Sequence, residues 1–544
     1  MGNLEIDEAM HYHEETKHSE VSVRSRAHFL DWENKPLQYK IYPKLAPVLL
    51  PKDFPHASQD TIDCVRGNES TGGTVDVERV AELLYLSAGI TKKIRSLTGE
   101  VHAFRAAAAT GALYEVEVYL VCGEIPGLSA GVYHFNPQDF ELRQLRAGDY
   151  RFHLYEAAGK RGEILSVPLS LILTAIYWRN AWKYQARSYR HFFWDSGTIL
   201  ANLLAIAASA KLKARVILGF VDDQVNRLLG LDTRREAVTV LVPLGSEGAP
   251  SKPSTEDLLT IPEIKHEYVP LSRSEVEYSD VLKIHSASTL RSVEEVTSWS
   301  TSPPQKTRPE KRGQFYSLQP LQVHEESPLG KTIIRRGSTR EFSTEGIPFN
   351  YLSTILESST GGIPADFLRS ASHTLMDIYL IASAVDKIQT GAYYYDQEER
   401  ALELLKVGNF REISGYLCLE QPLGEDGSVA MFLISNLGDL LETYGNRGYR
   451  AAQLEAGIIA GKMYLCAYAL GIGATGITFY DDAVTDFFSP HAAGKSCMLS
   501  VIIGFPAYRR DRQRILHQKL GDSPPESQGL LPQRQARSFR DRRG

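Results

Sequence analysis

Apolar residues at Val77, Val80, Ala81, Leu84, Leu86 and Ala88 recur at helical steps and stop at Gly89, which predicts an amphipathic helix beginning near Val75. The short stretches Glu117–Val121 and Gly131–Phe135, rich in Val and aromatic residues, predict strands, the second entered from a glycine turn. A long apolar helix follows at Trp194–Leu212, then a strand at Val238–Val242. The apolar runs Ile199–Ala210 and Ala456–Ile477 are too short for a membrane span or carry Lys462 within them, so they read as buried helices.

The same order of elements returns in the second half. Gly131-Val132-Tyr133-His134-Phe135 matches Gly391-Ala392-Tyr393-Tyr394-Tyr395, and Arg187-Ser188-Tyr189-Arg190 matches Arg447-Gly448-Tyr449-Arg450, both at an offset of 260 residues. Phe220-Val221-Asp222-Asp223 matches Phe479-Tyr480-Asp481-Asp482 at 259. Three matches in one register predict two copies of one α+β domain, a period too long for a solenoid. The expected layout is an irregular N-terminal arm over 1–60, a first domain over 61–245, a flexible linker with a short helix over 246–329, a second domain over 330–510 and a disordered basic tail over 511–544. A fused pseudo-dimer accounts for such a duplication, and its two formerly equivalent interface sites are then free to diverge.

Composition narrows the function classes. The net charge of −6 and pI near 6.2 provide no global basic field for nucleic acid. Five scattered cysteines without Cys-x-x-Cys spacing argue for a reducing compartment and against structural zinc or a disulfide framework. The N-terminus lacks the basic-then-apolar order of a signal peptide, and Ile6 spoils a myristoylation pattern, so a cytoplasmic protein is expected.

The candidate chemistry centres on Arg336-Gly337-Ser338-Thr339-Arg340, two fixed cations and a hydroxyl within about one helical turn of chain. Guanidinium forks suit phosphates and heteroaromatic oxygens, although a solvated basic turn has the same spacing. His191, His373 and His491 lack metal-ligand spacing, so no metal site is expected. The recurring Asp222-Asp223 and Asp481-Asp482 pairs read as structural turns or helix starts. Gly471-x-Gly473-x-x-Gly476 follows a helix and not a strand, which excludes a Rossmann reading.

Together with Gly471–Gly476 and the closing Val501-Ile502-Ile503-Gly504-Phe505-Pro506 strand, the clamp resembles the FMN-dependent nitroreductase fold. Tyr12-His13-Glu14, the stretch 105–119, Gly131-Val132-Tyr133 and Lys183-Tyr184-Gln185-Ala186-Arg187-Ser188-Tyr189-Arg190 resemble, more narrowly, the SagB-type dehydrogenases, which include azoline oxidases that form thiazoles and oxazoles in peptides. The resemblance implies that Arg336, Ser338 and Arg340 hold FMN, that the amides of Gly476 and Ile477 approach its ring, and that Arg510, beside Arg509, meets its phosphate. A cation at Arg340 also favours the negative charge that develops near N1 of a reduced flavin. Thr110 and Gly111 stand in the family's turn that reaches the flavin from the opposite subunit.

Lys183 and Tyr184 match the catalytic Lys-Tyr pair of the azoline oxidases, with the ammonium expected to favour the phenolate as base; the second copy has Thr443-Tyr444 instead. The second copy thus has the better clamp, since the first offers only Arg66-Gly67, and the first copy has the better turn. One composite site with one FMN per chain is expected. The implied chemistry is dehydrogenation of an azoline-type small or peptidic substrate, with NAD(P)H-dependent nitro or quinone reduction and a flavin-poor scaffold subunit as alternatives. No leader-binding winged helix is recognisable, so other peptide-modifying enzymes are the expected partners.

Overall fold

Fourteen of the sixteen strands among the described residues form two seven-stranded antiparallel sheets of the same topology. The computed structural model describes residues 2–25, 28–67, 72–95, 99, 101–246, 248, 261–299, 313–322 and 326–507. The first half contributes β1 (Pro47–Leu49), β2 (Ile90–Arg95), β3 (Val101–Arg105), β4 (Val116–Cys122), β5 (Gly131–Asn136), β6 (Glu141–Ala147), β7 (Leu169–Ile176), β8 (Lys213–Ala214) and β9 (Glu236–Gly245). The second contributes β10 (Gln314–Ser317), β11 (Asp377–Ala382), β12 (Gly391–Asp396), β13 (Ala401–Val407), β14 (Val429–Ser435), β15 (Gly473–Ile477) and β16 (Ser496–Gly504). One sheet runs β1-β6-β5-β4-β7-β9-β8 and the other β10-β13-β12-β11-β14-β16-β15, while β2 and β3 form a separate hairpin. Every residue of β4, β5, β7 and β9, and of β11, β12 and β14, is buried, including polar ones such as Glu117, His134, Glu236 and Asp377.

The duplicated α+β organisation is therefore present. Helix Val77–Ala88 forms with Asp76 capping its first turn. The long helix spans Ser188–Ser209, beginning before Trp194, and its counterpart spans Arg447–Ala469. The second apolar run is split, because Gly471, at φ +77°, reverses the chain into β15. The two helices meet at their equivalent glycines. A Cβ on Gly197 would lie 2.5 Å from the Gly457 carbonyl carbon, and one on Gly457 2.5 Å from the Trp194 oxygen, so only glycine permits this crossing.

Buried charge completes the interface. Arg187 and Arg190 of the first copy grip Asp481 of the second at 3.1 and 2.7 Å, and Arg447 and Arg450 of the second grip Asp222 of the first at 2.7 Å each. Burial alone would raise Asp481, yet its two arginines hold it well below the ordinary carboxylate range. Two of the three sequence signatures that revealed the duplication are thus the two halves of a reciprocal lock.

The flanking segments differ from expectation, because the locks recruit them. Residues 7–15 are not irregular but form a helix, Asp7–Glu15, whose His13 carbonyl accepts from Arg190 at 2.8 Å. The segment expected to be a flexible linker holds helices Ser279–Ala287 and Val293–Trp299 as well as β10. Its His285 carbonyl accepts from Arg450 at 2.9 Å, and its Ser288 carbonyl from Arg447 at 2.9 Å. The Leu290 carbonyl accepts from the Asp222 amide while the Leu290 amide donates to the Asp222 carboxylate, and His18 does the same with Asp481, so the two helices play matching parts. Ordering these carbonyls satisfies guanidinium donors that would otherwise be buried without partners. The tail over 511–544 lies outside the described residues.

Replacing Asp481 by Ala strands two buried guanidinium groups and is expected to cost about 3–5 kcal/mol in unfolding free energy. Urea denaturation measures this, and a loss below about 1 kcal/mol would contradict the importance of the lock.

Candidate functional site

Helix Leu329–Arg335 ends where Arg336 turns extended, and the Thr339 amide then bonds to the Ala474 carbonyl at 3.0 Å, laying the clamp beside β15. Arg336 reaches across the copy boundary: its Nε donates to the Ala106 carbonyl at 3.0 Å and its Nη2 to the Arg105 carbonyl at 3.2 Å. Its guanidinium lies 5.8 Å from the centre of the Tyr464 ring. Ser338 Oγ is 3.3 Å from the Tyr464 hydroxyl, which also accepts the Gly476 N–H. Arg336, Ser338 and Gly476 thus converge on Tyr464. Gly476 is the one exposed residue of β15, whereas Ile477 is buried with its carbonyl accepting from Ser500 at 2.7 Å. The Gly476 amide already has a partner, a difference from the expectation that it faces a ligand directly.

The first copy supplies the facing wall. Both oxygens of Asp195 hold Thr110, accepting from its amide at 2.7 Å and its hydroxyl at 2.8 Å. Gly111 follows in the left-handed region at φ +62°, and a Cβ there would lie 2.8 Å from the Tyr184 hydroxyl. The glycine is therefore needed both for the turn and for Tyr184 to reach over it. Lys183 and Tyr184 end helix Tyr177–Tyr184, with the Lys183 ammonium 5.2 Å from the Tyr184 ring centre and the His191 ring edge-on to Tyr184 at 4.5 Å.

Arg340 of the second copy is exposed, and its charge acts on both Lys183 and Tyr184. Burial, then Arg340 and Lys35, hold Lys183 below the ordinary lysine value. Burial, then the acidic neighbours Asp195 and Glu115, push Tyr184 well above the ordinary phenol value, and this outweighs the opposing effect of Arg340. The expectation of a phenolate is thereby overturned: Tyr184 stays protonated and can donate a proton, while Lys183 is the group biased towards a free base. Beneath them Asp195 is raised to about 6 by burial, and Glu115, wholly buried against it, is raised well above the ordinary carboxylate value by burial and by that neighbouring carboxylate.

These residues suit an anionic, planar ligand. The charges acting on Lys183 are cations, those acting on Arg336 are tyrosines, and no carboxylate pairs with Arg336, Arg340, Lys35 or Lys183 among the described residues. Arg509 and Arg510 lie outside the described residues. Among the described residues no cluster of metal-ligating side chains occurs.

The equivalent place on the other side of the pseudo-two-fold is closed by the chain. Arg66 is committed to Ser358 at 3.2 Å and Glu357 at 3.4 Å. The counterpart of Gly476 is Val216, whose edge is bridged in parallel by Ala365. Asp366 then accepts the Leu218 and Gly219 amides at 2.9 Å each. Tyr444, the counterpart of Tyr184, is buried and donates to the Phe367 carbonyl at 2.7 Å. Glu115 and Tyr464 escaped the motif reading, yet the duplicate marks both, since Leu375 and Leu204 occupy their equivalent positions.

The comparisons agree with this architecture. Residues 75–246 and 333–504 each match the profile of the Nitroreductase family. A nitroreductase-named protein of Methanocaldococcus jannaschii is 23% identical over 177 residues, covering 32% of this chain and 84% of its own. The microcin B17-processing protein McbC of Escherichia coli is 29% identical over 136 residues, covering 24% and 50%. The trifolitoxin-processing protein TfxB of Rhizobium leguminosarum bv. trifolii is 28% identical over 163 residues, covering 29% and 44%. The match thus spans half or less of those two processing proteins. A crystal structure of a nitroreductase-named protein from Anabaena variabilis superposes with a TM-score of 0.71 at 26% identity over 92% of this chain and 99% of that one. Two matched copies that together span most of the chain place it in the nitroreductase family, as a tandem protein homologous to McbC and TfxB.

Proposed function

We propose that the chain is an FMN-dependent oxidoreductase of the SagB type, binding one flavin at the open composite site and dehydrogenating an azoline-type ring in a small or peptidic substrate. The observation that carries this reading is the junction of the copies. Arg336 docks on the Ala106 carbonyl, and Arg340 acts on Lys183 and Tyr184, so cofactor and proton-transfer residues meet only there. McbC and TfxB, both named for peptide processing, favour dehydrogenation over nitro reduction.

In this assignment Arg336, Ser338 and Arg340 hold the flavin from one side. Thr110 and Gly111 shape the other, and Gly476 and Ile477 lie along its edge. FMN bound there supplies a two-electron acceptor for the hydride leaving the substrate ring. Lys183, biased towards its neutral form, takes the ring proton released in the same oxidation. Tyr184, kept neutral, orients the ring by donating a hydrogen bond. The closed second site supports a single flavin. Five free, buried thiols are compatible with a reducing, cytoplasmic setting, and delivery of a peptide substrate falls to partner enzymes. The helix region Tyr177–Ser209 is long and apolar enough to cross a membrane, but 83% of its most apolar window is buried within the fold.

Arg336→Ala is expected to lose bound flavin, as read by absorbance of the purified protein, while Arg66→Ala retains it. The reverse result would refute the assignment. With Lys183 as base, kcat/KM should rise with pH and level off below the ordinary lysine value of about 10.4. Tyr184→Phe should keep that limb and Lys183→Met should abolish it. A limb that survives Lys183→Met would assign the base elsewhere.

A further inference from the structure

The arm over residues 28–39 does more than cover the first sheet. It is stitched to the site on two sides: His28 bonds to the Trp182 carbonyl at 3.0 Å, and Trp182 Nε1 donates to the Asp31 carbonyl at 2.9 Å. Further along, Gln38 donates to the Ala112 carbonyl at 2.8 Å, and Arg105 donates to the Gln38 carbonyl at 2.5 Å. The arm therefore bridges the helix bearing Lys183 and the turn bearing Gly111.

Two side chains on this bridge are unusual. Trp32 leaves 67% of its surface exposed while standing edge-on to Trp182, ring centres 5.3 Å apart, next to Lys183 in sequence. Lys35 is half-buried, with its ammonium 5.7 Å from the centre of the Trp32 ring, and its charge reaches Lys183. Holding Lys35 close to another cation is unfavourable unless an anion is present to offset it. The carboxylate nearest in sequence, Glu33, instead pairs with Arg273 at 3.2 Å. An exposed indole beside a held cation that has no carboxylate partner among the described residues forms a two-point recognition element, one surface for a flat ring and one charge for an anion.

We infer that Trp32 and Lys35 form the substrate-side wall of the site and select a flat azoline-type ring, and the heteroaromatic ring it becomes, when that ring carries a carboxylate. This deepens the function proposed above and rests on it. Arg336 and Arg340 are assigned to the cofactor and Lys183 to proton transfer, which leaves Lys35 as the cation for the substrate.

The test uses 4-nitrobenzoate and its uncharged methyl ester as probes, with binding to the full chain followed by quenching of tryptophan fluorescence, which reads out whether or not flavin is loaded. Wild-type protein should bind the acid at least about ten-fold more tightly than the ester, as expected of one charge-assisted contact. Lys35→Met should bring that ratio close to one while leaving flavin content unchanged, and Trp32→Ala should weaken both probes together. Equal affinity of the wild type for acid and ester, or a preference that survives Lys35→Met, overturns the inference. Loss of flavin in Lys35→Met also overturns it, because Lys35 would then belong to the cofactor. A wild-type chain that binds no flavin yet prefers the acid would refute the proposed function and leave this wall standing.

Discussion

The structure depends on a pair of buried charge locks in which each copy's Arg-x-x-Arg holds the other copy's aspartate. Either half alone would be a liability, since guanidinium and carboxylate groups removed from water are tolerated only when paired and hydrogen-bonded. Because each copy carries one arginine pair and one aspartate, neither can satisfy its own. The locks therefore fix orientation as well as adhesion. With Gly197 and Gly457 bringing the two long helices into backbone contact, the junction is held rigidly enough for residues of both copies to share one site.

Symmetry at the locks makes the asymmetry at the sites informative. At one end Arg336 crosses to the first copy, Gly476 is open and Lys183 has no carboxylate partner among the described residues. At the other, Arg66 is neutralised by Glu357, Val216 is bridged by Ala365, and Tyr444 is buried. One end has kept exposed cations and glycines at the positions a flat anionic ligand needs, and the other has replaced them with self-contacts. Such divergence follows naturally once two subunits share one chain, because each position is then free to change on its own.

Much of this was legible in the sequence. The 260-residue register revealed the duplication, and differences within that register pointed to the clamp, the Lys-Tyr pair and the better turn. The roles of the repeated motifs were not legible. Asp222 and Asp481 read as helix starts, which they are, but their pairing was invisible, because a partner more than 200 residues away leaves no local signal. The helix Ser279–Ala287 was legible as a short helix near Val281-Leu282, whose apolar face is buried, but its part in the lock was not, since carbonyls that face distant arginines leave no sequence signal. The protonation of Tyr184 was misread for a related reason. The adjacent lysine is visible in sequence, whereas the burial of the phenol and the approach of Asp195 and Glu115, which raise it, arise only in the fold.

The central claim is that two homologous halves make one working site. Release of flavin from the purified, reconstituted chain by heat or acid, followed by absorbance quantification against protein concentration, tests it most directly. A ratio close to one flavin per chain is predicted. A ratio close to two would show that the closed end binds as well, and a ratio of zero would show that neither does; either result contradicts the account.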